Sequence, residues 1–214
     1  MKKHIRNILV ALMTLSLLML AGCGGGSSET VEAPDASEAE TPAVEAADPI
    51  GIHHAEIEIR DYGTVSVELD GDTAPITVQN FMDLANAGFY DGLTFHRIID
   101  GFMIQGGDPN GDGTGGSGKN IPGEFEANGY TNNIAHTKGV ISMARAQDPN
   151  SASSQFFIMV ADAPHLDGMY AAFGHVTDGQ DVVDKIAADA VPLDENGTMA
   201  AEDQPVIESV KIID

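Results

Sequence analysis

The stretch Phe95-His96-Arg97-Ile98-Ile99-Asp100-Gly101-Phe102-Met103-Ile104-Gln105-Gly106-Gly107 constrains the fold more than any other part of the chain. Phe95, Arg97 and Ile99 alternate with His96 and Ile98, a period of two that predicts a strand. Asp100-Gly101 predicts a turn, and Phe102 to Gln105 resumes an extended run that two glycines end. A guanidinium and a carboxamide thus stand among large apolar side chains, and neither is buried cheaply without a partner. On spacing alone two readings are level: a half-exposed hairpin with Arg97 in water, or a built site around Arg97 and Gln105.

The flanking segments supply more short strands. His54 to Arg60 and Thr64 to Leu69 alternate around Gly63 and predict a hairpin. Pro75 fits the first turn of a helix running to about Ala87, with Ile76, Phe81, Leu84 and Ala85 at helical spacing and Gly88 as its stop. Val140 to Ala144, Phe156 to Val160, Ala172 to Val176 and Val206 to Ile213 predict further strands, and Asp181 to Ala188 a second short helix. Many short strands with two helices predict a closed barrel.

The first 50 residues have a different character. Lys2, Lys3 and Arg6 precede an apolar run of 13 residues, Ile8 to Leu20, which is signal-peptide length and short for a membrane span. Leu20-Ala21-Gly22-Cys23 resembles the bacterial lipobox, in which the cysteine is lipidated and becomes the first mature residue. Cys23 is the only cysteine, so no intrachain disulfide is available. Residues 1–22 are therefore expected to be a lipoprotein signal peptide. Residues 23–50 are expected to be the lipidated cysteine and a disordered acidic linker, and 51–214 the folded domain. The linker from Gly24 to Ile50 holds seven acidic residues, no basic ones and three prolines, too little apolar surface to offset chain entropy. Such a chain spans roughly 30 Å. Removing the leader leaves 7 basic against 33 acidic residues, a net −26. That charge argues against nucleic acid and anionic headgroups as partners, so a lipid on Cys23 would have to hold the protein at the membrane.

Four tempting motifs fail. Gly113 to Lys119 has Walker A spacing, but Asn120 stands where Ser or Thr should bind magnesium and Pro122-Gly123 precludes the helix. Asp108, Asn110, Asp112 and Gly113 open like a calcium loop, yet Lys119 occupies the position of the bidentate glutamate. His53-His54 lacks a second spaced ligand pair. No G-x-S-x-G elbow supports a Ser-His-Asp hydrolase.

The motifs Phe95-His96-Arg97-Ile98-Ile99, Gly101-Phe102-Met103, Gln105-Gly106-Gly107-Asp108, Gly113-Thr114-Gly115-Gly116, Ser154-Gln155-Phe156-Phe157-Ile158, Leu166-Asp167-Gly168 and Phe173-Gly174 occur in one order. Together they resemble the signature of the cyclophilins, peptidyl-prolyl cis-trans isomerases, over most of residues 53–214. The resemblance implies a mainly β fold, a closed eight-stranded antiparallel barrel capped by two α-helices. It implies an isomerase acting on X-Pro bonds of polypeptides, and with the leader and the lipobox-like Cys23 the expected clients are unfolded or exported chains outside the cytoplasm at a bacterial membrane. Prolyl rotation breaks amide resonance but makes no bond, so no cofactor or metal is called for.

By the same resemblance Arg97 is the catalytic residue. Phe102, Met103, Phe157 and Leu166 line a proline pocket, Gln105 bonds the substrate backbone, and Ala144 and Arg145 line the peptide groove. Gln155 supports Arg97, and His96 belongs to the surrounding shell because its side chain should alternate to the other face. Three positions depart from many eukaryotic members. Arg145 replaces asparagine, which could shift substrate preference. His165 replaces the tryptophan of drug-sensitive members, so cyclosporin binding is expected to be weak. Tyr170 replaces a histidine and can still wall the pocket. The alternatives from other classes are a holdase that uses the groove without turnover, and an adhesin on a borrowed fold. Retention of Arg97 favours the enzyme.

Overall fold

A computed structural model describes residues 50–214. The expected signal peptide, Cys23 and linker lie outside the described residues, apart from Ile50. Eight strands and two helices follow in the order β1 (Ile52–Ile59), β2 (Gly63–Asp70), α1 (Pro75–Asn86), β3 (Thr94–Ile99), β4 (Met103–Asp108), β5 (Val140–Met143), β6 (Phe156–Met159), β7 (Ala172–Asp178), α2 (Gln180–Asp189) and β8 (Ile207–Ile212). All but β4 lie within about two residues of the segment their periodicity predicts; β4 runs on through Gly106 and Gly107 to Asp108, where the sequence predicts that the two glycines end it. The eight strands form one antiparallel sheet in the order β3-β4-β6-β5-β7-β2-β1-β8.

The sheet is an open half-barrel, which corrects the expected closed barrel. β3 and β8 are the two ends of the order and share no strand ladder; they touch only at one end, through the isolated bridge Thr94–Val206 and the bonds of Ile207 with Gly92 and Leu93 (2.8 Å each). The irregular segment 196–206 covers the free edge of β3 instead. Ile98 N–H donates to Gly197 (2.8 Å), Met199 N–H to His96 (3.0 Å) and Phe95 N–H to Pro205 (2.9 Å). Pro205 has no N–H of its own to continue a ladder there, and a 3₁₀ turn at Ala201–Asp203 bends the chain away.

Strand alternation divides the apolar residues between two cores. Phe156 and Ile158 point into the main core with Phe81, Phe95, Ile104 and Phe173. Phe157 and Met159 point the other way, into a smaller cluster with Met103, Val140, Leu166 and Ala172. The Phe81 and Phe95 rings meet Phe156 edge-on, at 5.6 and 6.0 Å between centroids. Helix α1 starts at Pro75 without a side-chain cap of its own. The buried carboxylate of Glu124 serves it from 48 residues away, accepting from Ile76 N–H (3.1 Å) and Thr77 N–H (2.7 Å). Two otherwise orphaned donors are satisfied at the positive end of the helix dipole.

Candidate active site

The polar centre of the site is made by an irregularity in β3. The pairing of β3 with β4 runs Phe95–Gly106, Arg97–Gln105, Ile98–Ile104, so His96 is an extra residue in the ladder. This β-bulge corrects the simple alternation read from the sequence: Phe95 and Ile98 both enter the main core, while Arg97 joins Met103 and Gln105 on the opposite face. Gly106 opposite the bulge allows it. A Cβ there would lie 2.8 Å from Thr94 O and 2.9 Å from the Phe95 ring.

Arg97 is held from two sides. Its Nε donates to Asn196 O (2.8 Å) and Nη1 to Gln105 Oε1 (3.0 Å), with Met103 Sδ at 3.8 Å from Nη1. Gln105 Nε2 donates to Gln155 Oε1 (2.9 Å), and Gln155 Nε2 donates to Gly113 O (3.1 Å) and Gly115 O (2.8 Å). Gln155 therefore reaches Arg97 through Gln105, not directly. Partial burial draws the guanidinium below its ordinary value, against the opposing pull of Tyr170 and Asp194. It remains a cation at neutral pH.

Beside this row lies a cavity of about 200 Å³. Phe102, Met103, Phe157, Leu166 and Tyr170 form its apolar part, and Arg97, Gln105, Ala144 and Arg145 the remainder. A second cavity of about 440 Å³ adjoins it across Gln105, Ala144 and Arg145 and extends under the glycine-rich loop 113–118. Nine of the expected site residues thus meet in one concavity, and Gln155 lines the neighbouring one. His165 lines neither; it is exposed and stacks on Phe102 at 5.8 Å. His96 is buried, and neither of its ring nitrogens bonds another described residue. Burial lowers its pKa, helped by Arg97 and opposed by Asp108 and Asp112.

Behind the apolar floor is a chain that sequence reading missed. His136 stacks on Phe157 at 6.1 Å, with Nδ1 3.0 Å from Asp167 Oδ1 and Nε2 3.0 Å from Ser142 Oγ. Ser142 is 0 % and His136 1 % exposed, so this Asp-His-Ser arrangement has no access to a substrate and braces the floor. No spacing signal marks these residues, which only the fold brings together. Tyr170 closes on Phe157 edge-on at 5.9 Å.

The tempting motifs resolve into turns. The Asp108 carboxylate accepts from the N–H groups of Asn110, Asp112 and Gly113. His53 and His54 both contact the Asp214 carboxylate.

Residues 54–214 match the family model described as cyclophilin type peptidyl-prolyl cis-trans isomerase/CLD. Peptidyl-prolyl cis-trans isomerase B of Bacillus subtilis is 50% identical over 121 residues, covering 56% of this chain and 81% of that protein. A peptidyl-prolyl cis-trans isomerase of Synechococcus elongatus is 48% identical over 118 residues, covering 55% and 77%. A crystal structure of a Cryptosporidium parvum cyclophilin type peptidyl-prolyl cis-trans isomerase, in the presence of the dipeptide Ala-Pro, superposes with a TM-score of 0.66. That match has 31% identity and covers 75% of this chain and 99% of the other.

Proposed function

The chain belongs to the cyclophilin-type peptidyl-prolyl cis-trans isomerases, and on that premise we propose that Arg97 drives the isomerisation by stabilising the twisted prolyl amide. The planar amide resists rotation by roughly 18–20 kcal/mol because the nitrogen lone pair is delocalised. When the bond twists, that lone pair returns to the nitrogen and becomes a hydrogen-bond acceptor. A fixed cationic donor beside it stabilises the twisted state more than either planar isomer, which is what acceleration requires. The observation that carries this reading is the guanidinium of Arg97, held by Asn196 and Gln105 at the wall of an apolar cavity. Phe102, Met103, Phe157 and Leu166 take the proline ring, walled by Tyr170. Gln105 has one amide N–H beyond its bond to Gln155, and this N–H serves the substrate backbone along the edge formed by Ala144 and Arg145. Gln155 and His96 act behind them, and His165 caps the rim through Phe102. Turnover of an Ala-Pro peptide tests the reading: the wild type should accelerate exchange, and Arg97→Ala should lose about two orders of magnitude. Equal rates for the two proteins would remove Arg97 from the mechanism.

Lys2, Lys3, Arg6, the apolar run and Cys23 support lipid anchoring to a bacterial membrane outside the cytoplasm, where the enzyme assists folding of exported proteins. Cys23→Ser should move the protein from the membrane fraction to the soluble one, and an unchanged distribution would refute the anchor.

A further inference from the structure

The charges around the groove run against those of the rest of the molecule. Residues 51–214 hold 26 acidic and 7 basic side chains. Four of the seven cations pair with carboxylates: Arg60 with Glu208, Lys138 with Asp184, Lys185 with Asp189 and Lys211 with Glu58. The other three, Arg97, Lys119 and Arg145, have no carboxylate within 4.0 Å among the described residues; Arg97 and Arg145 line the cavities, and Lys119 lies in the chain between the lining residues Gly118 and Asn120. Not one acidic residue lines either cavity. Of the acids next to lining residues in sequence, Asp112 and Asp148 are turned to N–H groups of their own turns, those of Thr114 and Asn150, and Asp167 to His136, so none points its carboxylate into a cavity, although each keeps its charge.

Arg145 stands at the junction of the two cavities and is fixed there. Its guanidinium carbon lies 4.9 Å from the centre of the Phe125 ring and 4.7 Å from that of Tyr170. Nε and Nη2 donate to Met169 O (3.0 and 2.8 Å), and Nη1 donates to Ala146 O (2.9 Å). These acceptors are neutral, so they orient the cation without cancelling its charge. At least one Nη2 N–H is left over. The rest of the larger cavity offers further donors in the Asn120 amide and the loop backbone, while the Ser151 and Ser153 hydroxyls already donate to Asp148 O (2.6 Å) and Lys119 O (2.9 Å). Lys119 sits at its rim, where its carbonyl accepts from Ser153 Oγ (2.9 Å).

We infer that the larger cavity is a carboxylate-selecting subsite, which takes an Asp or Glu side chain of the client close in sequence to the bound proline, against Arg145. This deepens the isomerase reading and rests on it for the proline next door. An apolar side chain would leave the donors unpaired, and a basic one would face Arg145 directly. The overall negative charge opposes an acidic client, but at physiological salt charges beyond about 8 Å are largely screened, whereas Arg145 acts at contact. Because the cation is already immobilised, little side-chain entropy is lost on pairing, which puts the gain at the upper end for exposed ion pairs, about fivefold.

The test uses the whole protein and short proline peptides carrying Glu or Gln at each of the two positions before and after the proline. Affinity and cis-trans exchange are both read by NMR. At one position the Glu peptide should bind about fivefold tighter than its Gln twin, with the ratio falling towards one in 1 M salt. Arg145→Gln should abolish the preference and Arg145→Lys should keep part of it. In the wild type, the Arg145 Nε–H resonance should move with the Glu peptide and not with the Gln peptide, a readout that needs no variant to fold. A ratio of one at all four positions, a preference that survives Arg145→Gln, or an unmoved resonance overturns the subsite. Loss of the isomerase reading shows separately: peptides that bind with the Glu preference but do not exchange would sink the isomerase and spare the subsite.

Discussion

Gln105→Met keeps the volume of the side chain and removes its polar atoms. Arg97 then loses its Nη1 acceptor at 3.0 Å but keeps Asn196 O at 2.8 Å. A hydrogen bond to a charged group contributes about 1.5–3 kcal/mol, and a half-buried guanidinium recovers part of that from water, leaving about 1–1.5 kcal/mol. Gln155 loses the amide of Gln105 yet keeps the carbonyls of Gly113 and Gly115, so its share is small. Loss of the substrate-backbone contact adds about 1 kcal/mol. The sum, about 2–3 kcal/mol, corresponds to a fall in kcat/KM of about 30- to 150-fold. Peptide exchange followed over a range of substrate concentrations separates the two parts, the arginine contribution appearing in kcat and the backbone contact in KM. A loss under about threefold would refute the idea that Gln105 aims Arg97.

Glu124→Ala should orphan the Ile76 and Thr77 N–H groups at the start of α1, costing about 2–3 kcal/mol. For a domain of this size that lowers the melting temperature by about 5–10 °C, and a change under 2 °C by calorimetry would count against the long-range cap. Burial holds His96 and His136 below their ordinary pKa, His136 against the pull of Asp167. The unfolded chain therefore takes up protons near pH 6.5 that the folded protein refuses. Stability should be full above that pH and fall progressively as the pH drops from 7 to 5. Denaturant titrations across this range should show the slope reduced in His136→Gln; a flat wild-type profile would contradict the burial argument.

Most of the secondary structure was legible because alternation and helical spacing report burial directly. The 156–159 strand even sorts its residues between two cores as a period of two requires. Motif order also picked out residues that gather around one concavity, since Arg97, Gln105, Phe157 and Gln155 are brought together by pairing of β3, β4 and β6. Illegible features were those in which one residue breaks a period or acts across the chain. The bulge at His96 sends Arg97 to the groove face, and nothing local in the strand announces it except the glycine opposite. The Glu124 cap and the Asp167-His136-Ser142 brace join positions between 6 and 48 residues apart, so only the finished fold places them. The open edge of β3 depends on Pro205 and a 3₁₀ turn in a segment with no periodicity to read.

The central claim is that Arg97 acts on the twisted amide and not on the bound ground state. Comparing the wild type with Arg97→Ala for both peptide affinity and the exchange rate at saturation tests it most directly. Kd should stay within about threefold of the wild type while the saturated rate falls by about two orders of magnitude. A rate that survives at saturation while Kd rises a hundredfold would make Arg97 a binding residue and contradict the mechanism.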